Sequence, residues 1–153
     1  LVDVVAGHDI ASFNLLVRPD GWESAPEALA VHGITTEHAN ANGVPEYLVV
    51  RVLLDLWRAA DVRVGHAESF DARMMRIALK RFASDEIADQ WKAGAAECTH
   101  KQAKALIPDL PKAGGGSLRA VYRHFFGTDF DNAHSAEADM RACQLIWEQM
   151  RRA

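Results

Sequence analysis

A short β-rich run that passes almost directly into a helix constrains this chain most. Val62-Arg63-Val64-Gly65-His66 reads as a strand, and residues 70–82 follow with Met74, Ile77 and Ala78 at helical spacing. Upstream, Leu1-Val2-Asp3-Val4-Val5, a turn at Ala6-Gly7-His8-Asp9 and a second run over residues 10–18 predict a hairpin, closed by Pro19-Asp20-Gly21. A hairpin followed by alternating strands and helices indicates an α/β or mixed α+β domain with helices packed on a sheet.

The remaining elements follow from local signals. Ser24-Ala25-Pro26-Glu27 has the form of a capping box opening a short helix to about Val31, and Thr35 or Thr36 caps another through Ala41. Pro45 opens a longer helix over residues 46–60, with Leu48, Val49, Val52, Leu53 and Leu56 as a broad apolar face. Ser84 caps a helix to about Ala93, residues 95–99 form a short strand, and a helix covers residues 100–106. Residues 108–116 are a loop rich in glycine, Ser117 caps a helix over residues 118–126 that ends at Gly127, and a long helix runs to about Arg152. On that last helix Ala136, Met140, Cys143, Trp147 and Met150 step by four and three residues, which predicts a core-facing stripe.

Composition narrows the class. A chain of 153 residues is one domain by length and large enough to bury a core without disulfides. Its apolar runs are too short to span a bilayer, and its first residues lack the basic-then-apolar pattern of a secretory signal. Cys98 and Cys143 are far apart and lack metal-type spacing, so a reduced, cytoplasmic setting is expected. A net charge of −4 disfavours a protein that grips long duplex by its phosphates. It does not exclude a nuclease, because bound cations reverse the sign that carboxylates present to phosphate.

Two segments carry the candidate chemistry, His66-Ala67-Glu68-Ser69-Phe70-Asp71 and His134-Ser135-Ala136-Glu137-Ala138-Asp139. Asp139 lies beside the apolar stripe of the last helix, where a carboxylate is costly unless paired. A divalent metal would pair it, and so would an arginine such as Arg63 or Arg141. Asp71 stands in the first turn of its helix, a position the macrodipole alone favours for an acid. His134 falls in the loop before the last helix; a loop histidine is usually just solvated, but near a metal-bound water it has the chemistry of a general base.

In their order along the chain these residues are familiar. A strand ending in His66, the Phe70-Asp71 pair and Ala133-His134-x-x-x-x-Asp139 resemble the second and third motifs of the DnaQ-like (DEDDh) 3′–5′ exonucleases. Val31-His32-Gly33-Ile34-Thr35 is similar to the His-Gly-Ile turn of those proteins, and the hairpin ending in Arg18-Pro19 matches their layout. The resemblance implies a ribonuclease-H-like fold, a mixed sheet flanked by helices. It implies hydrolysis at 3′ ends of DNA or RNA, most readily single-stranded, with two Mg²⁺ or Mn²⁺ ions. Asp139 would ligate a metal, Asp71 would support the second ion through water, and His134 would deprotonate the attacking water. His32 and Phe70 would lie against the terminal nucleotide. A second copy of the chain, or a polymerase or repair protein, is an expected partner.

The sequence also departs from the family. No Asp-x-Glu, the family's first metal-binding motif, occurs in it. The expectation is therefore a domain lacking the first central strand of the sheet, supplied in the native protein by an N-terminal segment of about twenty residues by family analogy. Ala67 stands where the family commonly has asparagine. These departures favour a second reading, an inactive exonuclease-like module that binds nucleic acid or a protein partner. A third is a different metal hydrolase with His66, Asp71, His134 and Asp139 as one mixed cluster suited to Zn²⁺ or Mn²⁺.

Overall fold

The computed structural model describes residues 1–108, 110 and 116–152. Most of the expected glycine-rich loop over residues 108–116 lies outside them. The chain divides into two compact units, Leu1–Asp61 with Ile77–Ala88, and Val62–Arg76 with Asp89–Ala153. Helices and short strand pairs occur in both, as the sequence reading of a mixed α/β architecture requires.

In the first unit, β1 (Val2–Asp3) pairs antiparallel with β2 (His8–Asp9), Val2 facing Asp9 and Asp3 facing His8. The turn closes earlier than the expected Ala6-Gly7-His8-Asp9. The Asp3 carboxylate accepts the N–H groups of Val5 and Ala6, both at 2.9 Å, and Gly7 takes the left-handed φ of 72°. The second expected strand, residues 10–18, keeps only β3 (Val17–Arg18), which pairs parallel with β4 (Val44–Pro45). Gly43 is what lets these segments meet. A Cβ there would lie 2.5 Å from the Ala39 carbonyl oxygen and 2.5 Å from the Arg18 nitrogen, both backbone atoms.

Helix α1 (Pro26–His32) starts one residue later than the expected cap. Ala25 is the N-cap, and Ser24 instead donates its backbone N–H to the Thr36 hydroxyl at 3.1 Å. Helix α2 (Thr36–Asn42) is capped by Thr35, whose hydroxyl accepts from the His38 N–H. Helix α3 (Glu46–Arg58) buries Val50 and Leu54, while Leu48 and Val52 of the expected face point to solvent. The helix carries more apolar residues than the side holding Val50 and Leu54 can bury, so periodicity alone does not select the buried side. Arg81 ties this unit together: it pairs with Glu46 at 3.2 Å and with Asp20 at 3.1 Å.

In the second unit, β5 (Arg63–Gly65) pairs parallel with β6 (Ala96–Cys98). Helix α4 (Glu68–Phe82) follows β5, and α5 (Asp85–Ala93) precedes β6; both helices run through the two units. Trp91 of α5 is buried and donates its indole N–H to the Ala72 carbonyl of α4 at 3.0 Å. Helices α6 (Thr99–Leu106), α7 (Leu118–Phe126) and α8 (Ala136–Arg152) close around Ala103, Ile107, Val121 and Ile146. Burying Ile146 fully contributes roughly 1.5–3 kcal/mol. The buried stripe of α8 is Ala142, Cys143, Ile146 and Trp147. It shares Cys143 and Trp147 with the expected one but is rotated away from Met140, which is 40% exposed. No helix among the described residues is long and apolar enough to cross a membrane.

Candidate functional site

The end of β5 organises the site. After Gly65 and His66 the backbone turns through Ala67 at a φ of 58°, and α4 begins at Glu68. Arg63 holds this corner. Its guanidinium pairs with Glu68 at 2.5 Å, donates to the Trp91 carbonyl and lies over the Trp91 ring. Arg63 is therefore committed to Glu68, not to Asp139.

His66 is half-buried and both its ring nitrogens are engaged. In the neutral ring Nε2–H donates to the Gly116 carbonyl at 2.7 Å, which leaves Nδ1 to accept from the Thr99 hydroxyl at 2.9 Å. Burial holds this imidazole below the ordinary histidine range; the Gly116 carbonyl works against that shift and the stacked His100 ring adds to it. Thr99, fully buried at the start of α6, also lies 3.6 Å from the Cys143 thiol of α8. His66 is thus a connection between β5, α6 and α8 and offers no nitrogen to a metal. That removes it from the mixed-cluster reading.

Asp71 stands in the first turn of α4. Its residue is exposed to solvent, yet protein crowds the carboxyl enough that desolvation raises its pKa, and the nearby Glu68 charge raises it further. Asp71 in turn helps to raise the pKa of the Cys143 thiol, after burial as the main cause.

Asp139 lies in the first turn of α8, half-buried, and its Oδ1 accepts the backbone N–H of His134 at 3.2 Å. His134 is exposed, in the loop before α8, with a left-handed φ of 76°. Ser135 caps the helix by accepting from the Ala138 N–H. Arg141, the other expected partner of Asp139, donates to Gln144 at 3.1 Å. Phe70 is 57% exposed, one residue before Asp71. His32 belongs to the first unit, where its Nδ1 accepts the Ile34 N–H at 2.9 Å.

Asp71, His134 and Asp139 thus all belong to the second unit, with one hydrogen bond joining the last two. Sequence reasoning missed Thr99, Gly116 and the role of Cys143, because each acts through partners at least 33 positions away. Among the described residues, no group of three or more His, Cys, Asp or Glu side chains converges as a metal site. Two surface hollows, one along Pro19, Trp22 and Thr36 and one along Arg18, Glu46 and Phe82, involve none of the five candidate residues.

A family model described as exonuclease matches residues 1–146 of the chain. No curated protein sequence matches it. Among solved structures, E. coli Exonuclease I in complex with a dT13 oligonucleotide is similar, with a TM-score of 0.70 and 21% identity over 90% of this chain. Another exonuclease I structure, reported as suggesting how processivity is achieved, is similar with a TM-score of 0.68 and 22% identity over 89% of this chain. In both cases the chain spans only 32% of the other protein's length. The likeness shows the fold to be the expected ribonuclease-H-like one.

Proposed function

The chain belongs to the DnaQ-like exonuclease family, and from that premise we propose that it removes nucleotides from 3′ ends by metal-dependent hydrolysis. DNA is the favoured substrate, single-stranded at the reacting end; the oligonucleotide held by the similar Exonuclease I supports this choice over RNA. The observation that carries the reading is Asp139 in the first turn of α8 accepting the His134 N–H, with Asp71 in the first turn of α4 in the same compact unit.

The donor chemistry fits a hard divalent cation. Mg²⁺ binds through one or two carboxylates, keeps several waters and takes further oxygens from phosphate. Burial and the nearby Glu68 charge both disfavour the ionised Asp71 carboxylate, an environment that a bound cation would relieve. Asp139 and Asp71 would hold the metal, Mg²⁺ or Mn²⁺; the family's full complement of two ions calls for further carboxylates. Bound metal would polarise the scissile phosphate and its water.

The chain's own residues do the rest. His134 would take the proton from the attacking water, in a loop whose position the Asp139 carboxylate fixes through the His134 N–H. Phe70 would pack its exposed ring on the terminal base or sugar, and His32 is carried over from the family resemblance as a further substrate-binding residue. The chain is read as one exonuclease-like domain that works in the cytoplasm with a polymerase, a repair protein or a second copy.

One experiment tests this: digestion of 3′-labelled and 5′-labelled DNA and RNA oligonucleotides with Mg²⁺ or Mn²⁺. Shortening from the 3′ end is expected, abolished by Asp139→Ala and reduced about 100-fold or more by His134→Ala, the scale of a lost general base. Full activity in His134→Ala would remove His134 from the mechanism. The lack of an Asp-x-Glu in the sequence and Ala67 in place of asparagine support the second reading, a non-catalytic binding module. Calorimetric titration with Mn²⁺ separates the two, because tight two-site binding contradicts the module.

A further inference from the structure

The basic residues of α4 are not all alike. Arg76 pairs with Asp89 at 2.6 Å, Lys80 with Asp85 at 2.9 Å, and Arg81 with Asp20 and Glu46. Arg73 makes no such pair among the described residues. The sequence places Ser69, Phe70, Arg76 and Ile77 at its helical neighbours three and four positions away, so no carboxylate is within intrahelical reach. Its guanidinium lies 5.6 Å from the centre of the exposed Phe70 ring instead. In an acidic chain, an unneutralised cation held over an exposed aromatic ring is an arrangement suited to a ligand that is flat and anionic.

We propose that Arg73 binds the phosphate backbone of the strand whose terminal base or sugar packs on Phe70. This rests on the exonuclease reading and adds a residue to it. Phe70, Arg73 and Met74 lie at i, i+3 and i+4, so they share one face of α4, and Met74 is 50% exposed beside the ring. A π-face flanked by an apolar side chain holds a base without regard to its identity, and a planar fork of donors suits a phosphate oxygen pair. Asp71 and Glu68 lie around the helix from this face and repel phosphate, so Arg73 also supplies the positive charge that admits a strand past them. Because a phosphate contact carries no sequence information, Arg73 sets affinity and register but no base preference.

The test measures binding without turnover. A fluorescent dT oligonucleotide is titrated with the full chain in EDTA, by anisotropy, at several salt concentrations, beside Arg73→Gln, Arg73→Lys and Phe70→Ala. One lost phosphate contact on a single strand flattens the slope of log K against log salt by about 0.7. Between 50 and 200 mM salt, Arg73→Gln should therefore lose roughly 2.6-fold less affinity than the parent. Arg73→Lys should keep the parent slope, and Phe70→Ala should weaken binding with the slope unchanged. Equal slopes and affinities for Arg73→Gln and the parent overturn the proposal while leaving nuclease activity intact. A parent chain that neither binds nor digests the oligonucleotide overturns the exonuclease reading itself, and this inference with it.

Discussion

Ala67 gives a stability prediction whose size can be worked from one angle. Its φ of 58° places a residue with a Cβ in the left-handed region, where the clash with the following carbonyl costs an L-residue roughly 1–2 kcal/mol. Asparagine enters this region several-fold more readily than other residues, and a fivefold preference corresponds to about 1 kcal/mol. Ala67→Asn should therefore stabilise the fold by about 1 kcal/mol, raising Tm by roughly 2–4 °C for a chain of 153 residues. Ala67→Gly removes the same clash but gives the unfolded chain more freedom, about 0.4–1 kcal/mol, and should gain less. Ala67→Val, β-branched, should lower Tm. Thermal melts by circular dichroism in one buffer give the ranking Asn, Gly, Ala, Val. If Asn is no better than Ala and Val no worse, the corner between β5 and α4 is not held in the left-handed region. The family's usual asparagine at this place then has a physical reason: it is the side chain that best tolerates the turn between strand and helix.

Two further outcomes follow from the site. The raised pKa of Asp71 means that the folded state resists its ionisation, so the penalty is absent below the ordinary carboxylate range and grows as pH rises through the raised value. Asp71→Asn should then be more stable than the parent at pH 7 without metal, equal to it near pH 3, and impaired in digestion; equal melts at pH 7 refute this. Thr99→Val keeps shape but strips the hydroxyl that His66 Nδ1 accepts from, at a cost of about 1–3 kcal/mol for the orphaned partner. Thr99→Ser should retain most of that stability, and urea melts of the two variants that coincide would show the hydroxyl to be idle.

What could be read along the chain and what could not divides by distance. The caps at Thr35 and Ser117, and the stop at Gly127, involve residues three or four apart and emerge as expected. The hairpin was expected too, but its register turned on the Asp3 carboxylate capturing two N–H groups, a competition that hydrophobic alternation does not register. On α3 and α8 the apolar residues outnumber the positions one face can bury, so the packing partner chose the side. Among the candidate residues, the loop position of His134 and the first-turn position of Asp139 were legible from helix signals.

The amino-acid order alone determined the helices, the strand that hands over to α4, and the spacing of Phe70-Asp71 and His134 to Asp139, because local backbone preference and short-range hydrogen bonds fix these. Only the folded chain decided that Arg63 is consumed by Glu68, that His66 is locked between Gly116 and Thr99, and that Thr99 meets the Cys143 thiol. Those outcomes depend on which groups meet across separations of up to 50 positions, and on burial, which changes a side chain's charge and partners without leaving any mark on its neighbours in sequence.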